Sequence, residues 1–194
     1  MIVKAPGPDE ILAMDRIDDP VAAAYCRIMR LKRLFRQGWL KRGIPESVCE
    51  SVADHSFGVA MLALLVPCPA EVDRSRAAVM ALVHEIGETY AGDITPVDGV
   101  PPAEKERLER AALLRALGDH PESGQWLGLW EDFEFGKSPE ARFVRQLDRL
   151  EMGFQAAVYR AEGSPAMGEF FDSARRSIVD PGLQALLDEA IGAS

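Results

Sequence analysis

Four residues in this sequence carry the types that metal chemistry needs: His55, His84, Glu85 and Asp148. Two imidazoles and two carboxylates make a mixed nitrogen and oxygen set. Such a set suits a borderline divalent ion such as Mn, Co, Fe, Ni or Zn, with positions left for water and substrate. The chain has only three histidines, and His55 and His84 head two of its metal-like segments; the third, His120, lies in a turn-rich break and reads as exposed. Glu88 follows His84 by four residues, which places the two on one face of a helix, where a carboxylate can take a proton. Asp148 lies in an apolar stripe with Glu151 three residues on. A carboxylate there costs several kcal/mol to desolvate unless an arginine or a metal compensates it, and both explanations stand.

The elements that must position these groups read as helices. Met80, Val83, Ile86 and Tyr90 recur at helical spacing, Gly92 is a natural stop and Pro96 prevents a quick return to helix. This predicts a helix over 80–92, with Asp93 just past its end facing back toward the site. Ser47 or Ser51 can cap the apolar helix that carries His55 and runs to Val66. Ser138 and Pro139 start the helix that carries Asp148. Upstream, two helices between Glu10 and Phe35 break near Asp18-Asp19-Pro20. Residues 103–117 form a charged amphipathic helix with Leu108, Ala111, Ala112 and Leu114 on its apolar side and no assigned chemistry. Arg30, Lys32, Arg33, Arg36, Lys41 and Arg42 gather around Trp39, either to grip a phosphate with a base or sugar beside it, or as a solvated helix end.

Composition bounds the rest. The 194 residues suffice for one core, and abundant Ala, Leu, Glu and Arg with few β-branched runs predict an all-α protein. The expected organisation is a loose arm over residues 1–9 and one domain over 10–194. A formal charge of −9 opposes binding a nucleic acid polymer, which needs a basic surface. Cys26, Cys49 and Cys68 form no CxxC pair and suggest a reducing compartment. The apolar run Val59–Val66 stops at Pro67, short of a membrane span, so a cytoplasmic protein without membrane attachment is expected.

In order along the chain stand Leu31-Lys32-Arg33, Gly38-Trp39, Pro45-Glu46-Ser47-Val48, Asp54-His55, His84-Glu85 with Glu88, Gly92-Asp93-Ile94-Thr95-Pro96, and Gln146-Leu147-Asp148 with Glu151-Met152. Together they resemble the HD-domain metal-dependent phosphohydrolases, a helical family with an H…HD…D fingerprint, and within it the 5'-deoxynucleotidase subgroup. The resemblance covers residues 31 to about 160. It implies a single-domain helical bundle in which His55, His84, Glu85 and Asp148 hold one divalent ion (Mn, Co, Fe, Ni, Zn or Mg) per subunit. It implies that Glu88 orients or deprotonates the attacking water, that Asp93 and the loop through Thr95 to Pro96 contact a nucleotide, that Trp39 lies against the sugar, and that the protein is a homodimer.

Two departures stand out. The family's aspartate is Glu85 here, and the extra methylene displaces its carboxylate by more than about an ångström, against a tolerance of about 0.2 Å in ligand distances. Gly38 precedes the tryptophan where some bacterial members have arginine, so Arg33 or Arg36 is expected to hold the phosphate. The expected function is metal-dependent hydrolysis of (deoxy)nucleoside 5'-monophosphates to nucleoside and phosphate. The alternatives are a catalytically weakened binding protein with Glu85 as the lesion, or a phosphatase of this fold acting on another small phosphoester.

Overall fold

Proline and aspartate punctuation sets the first element. Asp19 accepts from Ala22 N at 2.8 Å and Pro20 fills the first turn of α1, Pro20–Ile28. The structure, a computed structural model, describes residues 17–164 and 167–194; the expected arm and the helix beginning at Glu10 lie outside them. Beyond α1 the chain tightens into a 3-10 helix, Met29–Arg33, and then extends at Leu34. The extension has a partner: Val52 N donates to Leu34 O and Arg36 N to Glu50 O, around an isolated antiparallel bridge between Phe35 and Ser51. Leu31, Leu34 and Val52 close a small core beneath it, with Ile28 and Ala53 packed alongside.

The remaining helices are α2, Gln37–Leu40; α3, Val52–Leu65; α4, Arg74–Val83; α5, Glu88–Ala91; α6, Pro102–Leu117; α7, Ser123–Phe135; α8, Pro139–Ala161; α9, Gly168–Ser177; and α10, Pro181–Ala193. Among the described residues there is no strand beyond the isolated bridge, in agreement with the all-α expectation. Contacts divide the chain into two units. The first runs to Ser56 and resumes over Val83–Glu131; the second comprises Phe57–Leu82 and Asp132–Ser194.

In the first unit α6 packs against α5 and α1. Its buried stripe is Glu109, Ala112, Leu113, Ala116 and Leu117, while Leu114 is largely exposed. The inward face is therefore turned from the one expected. The cause is Glu109: a charge-based reading assigns it to solvent, yet Lys105 Nζ meets it at 2.5 Å and allows its burial.

In the second unit α8 is the axis against which α9 and α10 pack. Ser138 Oγ accepts from Ala141 N and Pro139 opens the helix, as expected. Asp73 Oδ1 caps α4 by accepting from the backbone N–H groups of Ser75 and Arg76. Arg74 reaches back to the end of α3, to the carbonyls of Ala63 and Leu64 and of Val66 just past it.

Candidate metal centre

The candidate centre in the first unit is built on a turn. The helix expected over 80–92 ends at Val83, and residues 84–87 form tight turns in which Ile86 N bonds Val83 O and Glu88 N bonds Glu85 O. Gly87 explains the break. A Cβ on it would stand 2.9 Å from both Cβ and O of Glu109, so the turn lies directly on α6. Gly92, at φ 84°, then ends α5 and releases Asp93. His84 and Glu85 are thus turn residues, and the single face expected for His84 and Glu88 is interrupted between them.

His55 enters from the first turn of α3, which is fixed by a reciprocal cap: Asp54 N donates to Ser51 Oγ, and Ser51 N to Asp54 Oδ2. His55 and His84 are both buried. Their ring centroids are 5.6 Å apart, and they offer ligand atoms within 4.8 Å of each other. Glu85 Oε1 lies 3.7 Å from His55 Nε2 and 3.5 Å from His84 Nε2. Donors bound tetrahedrally to one ion at about 2.1 Å stand about 3.4 Å from one another. The longer side chain of Glu85 thus brings its oxygen to the spacing that a shared ion requires, and these residues fit a divalent metal.

The same oxygen faces a cation. Arg36 Nη1 is 3.3 Å from Glu85 Oε1 and 3.5 Å from Asp93 Oδ1. Burial opposes the charge on Arg36, but Asp93 and Glu85, then Glu88 and Glu50, outweigh it and hold the guanidinium firmly protonated. Asp93 Oδ2 also accepts from Gln37 N at 2.5 Å, which anchors the start of α2. Glu88 is buried, and among the described residues its Oε2 has no hydrogen-bond partner. Burial, reinforced by the charges of Glu85 and Asp93 and resisted by Arg36, pushes its carboxyl well above the usual range. It is therefore a carboxyl that readily keeps or accepts a proton.

The other expected residues lie as follows. Trp39 is 2% exposed, and its Nε1 donates to Glu50 Oε1 at 2.6 Å; the indole is an interior anchor of α2. Arg33 is half-buried in the 3-10 helix. Thr95 and the exposed Pro96 begin a 3-10 turn closed by a capping box with Asp98. Lys41 Nζ holds that turn at 2.7 Å from Thr95 Oγ1 and from each Asp98 carboxylate oxygen. The hydrogen bonds from Lys41 and Thr95 hold the Asp98 carboxyl well below the ordinary range.

Asp148 and Glu151 belong to the second unit, both buried on α8. Asp148 Oδ2 lies 3.5 Å from Arg149 Nε, and Glu151 packs so closely on α3 that a Cβ at Gly58 would meet its Oε1 at 2.7 Å. Three supporting carboxylate and amine groups escaped the sequence reading: Glu50, Lys105 and Glu109. Only Glu109 carried a signal, as an acid within the i, i+3, i+4 stripe of α6.

A family described as HD domain matches residues 28–186, four fifths of the chain and parts of both units. The chain belongs to the HD-domain family. As an HD-domain protein it is a hydrolase, and its curated relatives agree on the class of chemistry. The 5'-deoxynucleotidase HDDC2 of Danio rerio is 40% identical over 162 residues, covering 81% of this chain and 80% of that protein. The Homo sapiens protein of the same name is 35% identical over 164 residues, 82% of this chain and 79% of the other. Among solved structures, a Pyrococcus horikoshii protein superposes with a TM-score of 0.73 at 28% identity, over 89% of this chain and 99% of its own. A Magnetospirillum magnetotacticum protein described as a predicted metal-dependent phosphohydrolase gives 0.71 at 25% identity, over 100% and 95%.

Proposed function

We propose that this HD-domain enzyme hydrolyses deoxynucleoside 5'-monophosphates to nucleoside and phosphate with one divalent ion. The observation that carries the reading is the convergence of His55 Nε2, His84 Nε2 and Glu85 Oε1, in a chain whose relatives bear the name 5'-deoxynucleotidase. Asp148 is the fourth ligand; its burial and its place in the Gln146-Leu147-Asp148 motif support the role. When bound, the ion acidifies a water molecule and polarises a phosphoryl oxygen, the two aids that monoester hydrolysis most needs.

The chain's own groups supply the rest. Glu88 takes the water's proton at its Oε2. Arg36 binds the phosphate and Arg33 assists it. Asp93 holds Arg36 and the start of α2 in register. Thr95 and Pro96, latched by Lys41, contact the nucleoside end, and Trp39 supports that side of the site from within through Glu50. In the second unit the exposed apolar side chains Phe57, Leu64 and Leu65 of α3 and Val79 and Leu82 of α4 support a homodimer; sedimentation of Leu65→Glu as a dimer would count against this face. Three cysteines without a disulfide support a reducing, cytoplasmic setting.

The test is phosphate release from paired deoxy- and ribonucleoside 5'-monophosphates by metal-stripped protein resupplied with Mn, Co, Ni, Zn or Mg. Metal-dependent turnover of the deoxy series supports the reading. Turnover only by Glu85→Asp would show that the natural chain has given up this chemistry, and turnover only of other phosphoesters would move the substrate elsewhere.

A further inference from the structure

One carboxylate oxygen here has two claimants. Glu85 Oε1 faces the imidazole nitrogens of His55 and His84 at 3.7 and 3.5 Å, and the Arg36 guanidinium at 3.3 Å. A divalent ion held by these residues would share that oxygen with Arg36 and would stand close to a half-buried like charge. The arginine cannot shed its charge, because a guanidinium stays protonated in proteins. An arriving oxyanion reverses the balance. It accepts hydrogen bonds from the planar guanidinium and is attracted by both cations, which converts their repulsion into a shared attraction.

Resting on the metal-centre reading above, we propose that Arg36 couples the two occupants: it weakens metal binding in the absence of anion, and a phosphate oxyanion relieves that penalty. Metal and phosphate then bind with positive cooperativity, and by linkage each tightens the other by the same factor. The bare site loses its metal easily, while the site with phosphate present retains it. The aspartate of the family, one methylene shorter, would reach less far toward the guanidinium. The strength of the coupling is therefore a property of Glu85 in this chain.

The experiment is Mn2+ binding to the full-length protein, followed by electron paramagnetic resonance of the unbound ion, with and without inorganic phosphate, for wild type, Arg36→Gln and Glu85→Asp. Circular dichroism establishes that each variant is folded. Wild type is expected to bind Mn2+ at least about fivefold more tightly with phosphate, the lower end of usual coupling strengths. Arg36→Gln is expected to bind tightly without phosphate and to gain less than about twofold from it. Glu85→Asp, which separates the arginine from the carboxylate oxygen, is expected to show a reduced gain from phosphate whatever its affinity for Mn2+ alone; it carries the test if Arg36→Gln does not fold. A wild-type affinity indifferent to phosphate, or a gain undiminished in the folded variants, overturns the coupling and leaves the metal centre standing. Wild type that binds no Mn2+ under either condition overturns the metal centre itself.

Discussion

At the residue scale the chemistry turns on how few groups share a small buried volume. His55, His84 and Glu85 draw notice in the sequence by residue type and by their place in the ordered motifs, and Glu85, whose extra methylene looks like a defect from sequence, sets its Oε1 3.5 Å from His84 Nε2. From sequence Glu88 is expected to act as a base, but its environment is not legible there. Its elevated proton affinity arises from burial beside Glu85 and Asp93, which only folding brings together. Glu88→Gln should therefore lower kcat by about 10²–10⁴, the usual contribution of a positioned acid or base, while bound metal and thermal midpoint are retained. Steady-state kinetics with metal analysis checks this; an unchanged kcat would remove Glu88 from the mechanism. Trp39 teaches the opposite lesson. A tryptophan among cations looks like a stacking platform in sequence, but only the fold reveals that Glu50 accepts its N–H and that the ring is interior.

At the element scale the sequence located helices well and their interruptions poorly. Asp19-Pro20, Ser138-Pro139 and Asp180-Pro181 mark starts because the cap and the fixed proline φ act locally. The break after Val83 has no such marker, since it comes from the approach of Gly87 to α6, a contact between residues far apart in sequence. Gly87→Ala should destabilise the protein by about 1–3 kcal/mol, as overpacking does, and should weaken metal binding because the turn carries both His84 and Glu85. Chemical denaturation and metal titration would reveal it; a stable variant with wild-type metal affinity would contradict the close-approach account.

The starts of α4 and α8 offer an independent test within the second unit. Asp132 accepts from Arg76 Nη2 and from Ser138 N, both at 2.9 Å, and Glu140 Oε1 accepts from Asp73 N at 2.8 Å. Burial works to raise the Asp132 carboxyl, but the bonds from Arg76 and Ser138 leave it lowered; Glu140 is lowered chiefly by the Asp73 bond. A carboxyl lowered by folding contributes stability that is complete above its unfolded value, about 3.9 for Asp and 4.3 for Glu, and is lost as pH falls through the lower folded value. The thermal midpoint should therefore fall between about pH 5 and pH 2, and Asp132→Asn should be less stable than wild type at neutral pH, the difference narrowing with acidification. Parallel melts across that range decide it, and a difference that does not narrow would exclude Asp132 as a contributor.

At the scale of the whole molecule, composition alone foretold an all-α chain, because alanine-, leucine- and charge-rich sequence with few β-branched runs has little to build a sheet from. It could not foretell two compact units that the chain visits alternately, with boundaries inside α3, α4 and α7; no linker marks them, because the helices continue through. One HD-domain match nevertheless runs through both, and its ordered motifs were what made the family readable. In the proposed function, one divalent ion held by His55, His84 and Glu85 with Asp148 enables phosphate release from a deoxynucleoside 5'-monophosphate. Titrating metal-stripped protein with Co2+ or Mn2+ while following phosphate release, beside Glu85→Ala, tests it most directly. No turnover is expected without metal, with saturation at about one ion per chain and little recovery in Glu85→Ala. Turnover by the stripped protein, or full recovery in the variant, would contradict it.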